Sequence, residues 1–395
     1  MPIEKHNNRI LVSSFPGQGW DFGLIRHPFH EEERQRGAKY CVYNRRLMAV
    51  CFDDSTTEQE YWLLRRGVGV LHTGEHTWDI RGPDAERFLN RVFSRDVGKQ
   101  RVGRCAYQFV CYPDGGMLVD GVLLRHAPDH FWFVQADGDL FPWLIAHAQD
   151  LDVAISDPGV FVSQVQGPRS LEVLEAAADG GLSSDFRYFD IERVSIAGQE
   201  IVVTRTGYTN ELGWEFYIEP HHNAHALWDH IKAAGKPFSM NLAGLDAYDP
   251  RRIEAGIQNA GSDFDKDTTP FAVGLGGFVD LDKPDFIGKA ALEQADKTCR
   301  QFGLRCEGGT PKIRGRVKIE NVEVGVMTSG AWSPYLECGV GFVRFFKSGP
   351  RPGAQIEVDC LDGASHPGLV CSLPMYDEQR RIPRGLAVDI PTLPG

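Results

Sequence analysis

The chain has 395 residues, 54 acidic against 42 basic side chains, a formal net charge of −12 and 42% apolar residues. That length holds two or three domains with sizeable cores, and the acidic balance argues against a nucleic-acid surface or an anionic membrane as partner. No apolar run reaches the roughly 18 residues of a membrane span, and the start, Met1 to Asn8, has no apolar leader segment. The expectation is a cytoplasmic protein. The nine cysteines (41, 51, 105, 111, 299, 306, 338, 360 and 371) form no C-x-x-C pair. With no Cys/His cluster at zinc spacing, reduced thiols and no metal site are expected.

In chain order, residues 1–37 are rich in Gly, Pro, His and charge and should drape over the fold. Tyr40 to Asn44 and Leu47 to Phe52 read as a hairpin. Glu58 to Arg66 has the spacing of a short amphipathic helix ended by Gly67. Residues 68–82 end in a strand that stops at Gly82, and Pro83 opens a helix whose apolar face is Phe88, Leu89, Val92 and Phe93. Tyr107 to Leu124 is strand, turn and strand about Pro113-Asp-Gly-Gly116. His130 to Gln135 is a further strand, and Leu140 to His147 a helix. Val160 to Leu174 repeats the order strand, Gly-Pro, helix, which implies two related α+β halves. Glu200 to Val203 and Trp214 to Glu219 read as strands joined through Gly207, Asn210 and Gly213. In the second strand Trp214 and Phe216 point one way, Glu215 and Tyr217 the other. Asp249 is expected as the cap of a helix with Pro250 in its first turn. Gly274-Leu-Gly-Gly277 reads as a turn, and the short glycine-rich strands after Leu304 fit a small β-barrel.

A carboxylate such as Glu215 beside aromatic rings can accept two parallel hydrogen bonds from a flat amidine-like edge. Thr206-Gly-Tyr-Thr-Asn-Glu-Leu-Gly-Trp-Glu215 resembles the TGYTGE-x-G-[YF]-E signature of the glycine-cleavage T-protein family, the tetrahydrofolate-dependent aminomethyl- and methyltransferases. Residues 68–89, 244–256, Asp285 to Leu292 and Val326 to Pro334 resemble further segments of that family in the same order, although the leading Asp of the first family pattern is Leu71 or His72 here. Within 244–256, Tyr248 replaces the first Arg of the family pattern and Arg252 matches the second.

The resemblance implies an α+β fold: a three-lobed ring around a folate channel, with antiparallel sheets, helices and a C-terminal β-barrel. The expected division is residues 1–67 with 156–275 as the folate-binding unit, 68–155 inserted, and 276–395 ending in the barrel. Tetrahydrofolate is the implied cofactor and a small-molecule methyl donor the implied partner, the protein being a monomer or homodimer. Glu215 would hold the pterin ring, with Tyr208, Arg252, Gln135 and Trp332 also on the cofactor. Asp120, Tyr208, His72 and His76 are the catalytic candidates. Tyr43, Trp78, Tyr107 and Trp214 are the candidates for the substrate side.

In the family, the strand after the Gly-Gly turn carries two adjacent Asp residues, the first serving aminomethyl transfer. Here Val119 takes the first place and Asp120 the second. A valine shuttles no proton, so the sequence points away from glycine cleavage. Tyr40 to Asn44, Arg101-x-Gly-Arg-Cys105, Asp263-Phe-Asp265 and Val370 to Pro374 resemble the folate-dependent dimethylsulfoniopropionate demethylases. The expected reaction is methyl transfer from a sulfonium to N5 of tetrahydrofolate. The alternatives are O-demethylation of a methoxylated aromatic acid, which needs a proton donor, and folate binding without catalysis. The latter group has a Lys-Gly-Cys-Tyr motif, whereas residues 256–261 contain no Cys.

Overall fold

The computed structural model describes residues 5–6, 9–12 and 23–393; the remainder of the expected N-terminal drape lies outside them. Two antiparallel sheets and a barrel carry the molecule. The five-stranded sheet has the order 154–156, 76–81, 130–135, 117–127, 104–111. Helices Ala85–Val92 and Phe141–His147 cover one face, closing a core of Phe88, Leu89, Val92, Phe131 and Phe133. The six-stranded sheet has the order 191–196, 199–204, 213–218, 161–166, 69–72, 241–242, with Ser170–Ala177 and Ala224–Gly235 on one face. Only its terminal strand, Asn241–Leu242, pairs parallel.

The two sheets meet through their other faces. Cys105, Leu124, Trp132 and Val134 of one pack on Val162, Val202 and Tyr217 of the other. The chain crosses between them at residues 73–75, so Gly69–His72 pairs with 161–166 while His76–Arg81 pairs with 130–135. The repeated strand-Gly-Pro-helix unit is visible in the backbone. Gly82 and Gly167 both have φ near +137°, at +139° and +136°. A Cβ at either would lie 2.3 Å from a carbonyl oxygen, of Asp152 or Gly67. Only glycine opens these two helices onto a neighbouring chain so closely.

The expected hairpin is Lys39–Tyr43 with Arg46–Cys51, turning through Asn44 and Arg45 at positive φ. Thr57–Arg66 is a helix with a capping box from Thr56 and Gln59, ended at Gly67. Helix Leu245–Ala255 corrects one expectation. It begins at Leu245 rather than beside Asp249, and Pro250 lies inside it. Gly244 sets that start, because a Cβ there would lie 2.2 Å from the Val50 carbonyl. Ten of its eleven residues are buried, so packing overrides the hydrogen bond the proline forfeits. Strands 301–306, 316–319, 322–333, 338–345, 355–359 and 365–371 close a barrel against that helix. Among the described residues no helix is long and apolar enough to cross a membrane.

Candidate active site

A cavity of about 1650 Å³ opens where the two sheets, the 39–51 hairpin, helix 245–255 and the C-terminal segment meet. Its wall includes Glu215, Glu75, Gln164, Asp120, Tyr43, Tyr107 and Tyr208. Glu215 reaches it by strand alternation. Its strand, Gly213–Ile218, is buried throughout, sending Trp214 and Phe216 to the helix-covered core and Glu215 to the cavity side. The loop before that strand is pressed on Gln166, because a Cβ on Gly207 or Gly213 would sit 2.0 or 2.2 Å from its amide. Thr206 Oγ1 donates to Glu215 Oε2 at 2.7 Å, Tyr217 at 3.1 Å and Gln164 Nε2 to Oε1 at 3.0 Å. Burial raises the Glu215 carboxyl above its ordinary range, and these donors oppose the rise.

Asp120 enters from the neighbouring sheet, accepting the Tyr107 hydroxyl on Oδ2 at 2.8 Å. Burial pushes it up to about 6, against the Tyr107 hydrogen bond. Its Oδ1, like Gln164 Oε1, is buried with no hydrogen-bond partner among the described residues. Tyr208 places its hydroxyl 3.4 Å from the Gln258 carbonyl. Burial raises the phenols of Tyr43, Tyr107 and Tyr208, so all three are neutral donors at physiological pH.

The remaining candidates stand outside the cavity wall. Trp214 packs 5.0 Å from Phe186 in the core. Trp332 is 45% exposed on the barrel. Leu71, not His72, meets the cavity. His72 stacks on His27 at 4.5 Å, bonds Ser163 at 2.9 Å and is depressed to about 3 by burial, which leaves it neutral. His76 stacks on Trp78 and lies 2.9 Å from the Asp157 carboxylate. Trp78 donates to Gln135, whose amide in turn ties Asn44 and the Gly138 carbonyl. These residues buttress the wall at Ala136 and Asp137. Arg252 spans Asp249, Asp263 at 2.7 Å and Ser329 at 2.8 Å. Asp263 also accepts Thr328 and Ser329 of the barrel. Arg252 therefore fastens the barrel behind the site.

Val119 is also placed differently from what its sequence register implied. It is 1% exposed, in the core beneath the 85–92 helix, while Asp120 alone of the pair faces the cavity. A residue at the Val119 position has no access to a bound ligand, so its identity says nothing about aminomethyl chemistry.

Sequence reasoning missed Glu75, Gln164, Asp137 and Asp249, all on the wall, and a set of arginines that also line it. Arg101, Arg187, Arg205, Arg380 and Arg384 come from four separate segments. Only Arg101-x-Gly-Arg104 gave a local signal. The buried acids Asp120 and Glu215 thus share one cavity with the exposed Arg101, Arg187 and Arg384.

An α+β scaffold that encloses a cavity lined by buried acids and by arginines, between two sheets, a hairpin and a helix, has the form of a small-molecule site. Residues 29–283 match the model of the GCVT N-terminal domain, and residues 300–377 that of the glycine cleavage T-protein C-terminal barrel domain. The chain belongs to the glycine cleavage T-protein family. It is 34% identical over 350 residues to an aminomethyltransferase of Alkaliphilus oremlandii, covering 85% of this chain and 93% of that one. It is 33% identical over 362 residues to dimethylsulfoniopropionate demethylase of Ruegeria pomeroyi, covering 89% and 97%. The crystal structure of the glycine cleavage aminomethyltransferase T of Bartonella henselae superposes with a TM-score of 0.80 at 25% identity, covering 90% and 99%.

Proposed function

We propose that the chain is a tetrahydrofolate-dependent demethylase that moves a methyl group from a small cationic donor, of the dimethylsulfoniopropionate type, to N5 of tetrahydrofolate. The observation that carries it is the polarity of the cavity. Buried acceptors (Glu215, Gln164 Oε1 and Asp120 Oδ1) suit a ring rich in N–H groups, and the arginines of the same cavity suit a carboxylate tail. Tetrahydrofolate supplies the nucleophilic nitrogen.

The chain's own residues do the rest. Glu215 accepts two N–H groups of the ring edge and fixes its plane. Tyr43, Tyr107 and Tyr208 wall the donor side, where ring faces and the Asp120 carboxylate favour a cation. Holding donor and acceptor about 3–3.5 Å apart and in line is then the main catalytic contribution. A sulfonium departs as a neutral thioether, so it needs no acid. Asp120 takes the proton that the acceptor nitrogen gives up when it is alkylated. An aryl ether would need a proton donor, and among the described residues no histidine lines the cavity. That favours the onium donor over the methoxyarene.

One observation favours a second reading, aminomethyl transfer. Asp120 keeps an acid facing the cavity, and the relatives include aminomethyltransferases. Calorimetry with 5-formyltetrahydrofolate tests the shared part of both readings. The unsubstituted protein binds, and Glu215→Ala weakens binding by about 2 kcal/mol, some thirtyfold. Unchanged affinity in Glu215→Ala would remove Glu215 from the site.

A further inference from the structure

Glu75 has no part in the account so far, although it meets the cavity beside Glu215. It sits in the crossing between the two sheets, at residues 73–75. Gly74 presses that crossing onto Tyr43, since a Cβ there would lie 2.6 Å from the Tyr43 Cβ. Thr73 Oγ1 donates to Glu75 Oε2 at 2.7 Å. Gln164 Nε2 donates to Glu75 Oε1 at 3.4 Å and to Glu215 Oε1 at 3.0 Å. One amide thus holds two carboxyl groups side by side on the same wall.

The charges facing Glu75 are unequal. Glu215 and Asp120 repel its ionised form, while the Thr73 hydrogen bond and Arg46 favour it. The phenols of Tyr43, Tyr217 and Tyr248 are close enough to feel its charge. Arg46 is itself committed, donating to the Val160 carbonyl and lying over the Phe161 ring. Two anions held this close at a buried site are costly, and one of them keeps its proton. Burial first, and then Glu215, raise Glu75 to about 8.

A reduced pterin carries, in order along one edge, a ring carbonyl, an N–H and an amino group. A carboxylate suits the last two and an O–H donor the first. Resting on the folate reading above, we propose that Glu75 binds the ring carbonyl as a neutral acid, donating its O–H, while Glu215 accepts from the adjoining N–H and amino groups. The pair then reads acceptor, donor, donor.

The test is the affinity of 5-formyltetrahydrofolate at pH 7 and pH 9 for the unsubstituted protein, Glu75→Gln and Glu75→Leu, each first shown to be folded by its thermal transition. With an ionisation near 8, the unsubstituted protein weakens about tenfold between those pH values and takes up about half a proton per ligand bound at pH 8. Glu75→Gln keeps a donor, so it binds within about threefold of the parent at pH 7 and stays flat to pH 9. Glu75→Leu is weaker by about tenfold or more at pH 7 and also flat. A flat profile for the unsubstituted protein, or Glu75→Gln binding as weakly as Glu75→Leu at pH 7, overturns the proposal while leaving folate binding intact. Absence of saturable binding by the unsubstituted protein overturns the folate reading itself, and this inference with it.

Discussion

Asp120 couples burial to chemistry. Its carboxyl is raised in the folded protein from 3.8 to about 6, so the folded state holds a proton more tightly than the unfolded chain. The stability this contributes is present in full below pH 4 and is lost as pH rises through 6. Asp120→Asn is therefore expected to be more stable than the parent at pH 8, by about 1–3 kcal/mol, with the difference vanishing below pH 4. Thermal melts across that range check the sign. In catalysis, kcat/KM for methyl transfer should fall below pH 6, where Asp120 is protonated and takes no proton. Asp120→Asn should lose about 100-fold in kcat and lose that acid limb. Unchanged turnover would exclude a proton-accepting role.

At the scale of elements, the 199–218 hairpin is the most sensitive part, because its glycines are packed on Gln166. Gly213→Ala should cost about 1–3 kcal/mol by overpacking and weaken ligand binding through displacement of Glu215. Gly198→Ala, at a tip with nothing within 4 Å, should leave binding unchanged and pay only the strain of its positive φ. Paired denaturation and calorimetry separate the two. This hairpin was legible in the sequence because period-two alternation decides which side chains share a face, and it sent Glu215 opposite Trp214. The same alternation decides Val119 against Asp120, but only a known strand phase shows which of two neighbours faces the ligand. His72, Trp78, Gln135 and Trp332 lie in or beside recognisable motifs, yet none of them lines the cavity, and a motif does not state which side of a wall its residues occupy. Pro250 misplaced the start of its helix because local propensity favours proline in a first turn, while burial on three sides decided otherwise. Glu75 and the cavity arginines other than Arg101 left no local trace, since they converge only through tertiary folding.

On the scale of the whole molecule, two buried ionic knots join the barrel to helix 245–255 and the segments packed on it. In one, Arg252 and Asp263 hold Thr328 and Ser329. In the other, Arg251 pairs with Glu211 at 2.6 Å and with Glu254, which also accepts Tyr61 and Ser333. Removing one partner strands a buried charge. Asp263→Ala should therefore destabilise the protein by about 3–5 kcal/mol, measured by denaturant unfolding. A value near zero would mean that the barrel docks without the knot.

The most direct test of the central claim is a mass-based assay for 5-methyltetrahydrofolate. Purified protein, tetrahydrofolate and one donor at a time would be incubated, the donors being dimethylsulfoniopropionate, glycine betaine, vanillate and syringate. The account predicts 5-methyltetrahydrofolate from an onium donor, none from the methoxyarenes, and loss of product in Glu215→Ala. Product from a methoxyarene alone, or no methylated folate from any onium donor despite tight folate binding, would contradict it.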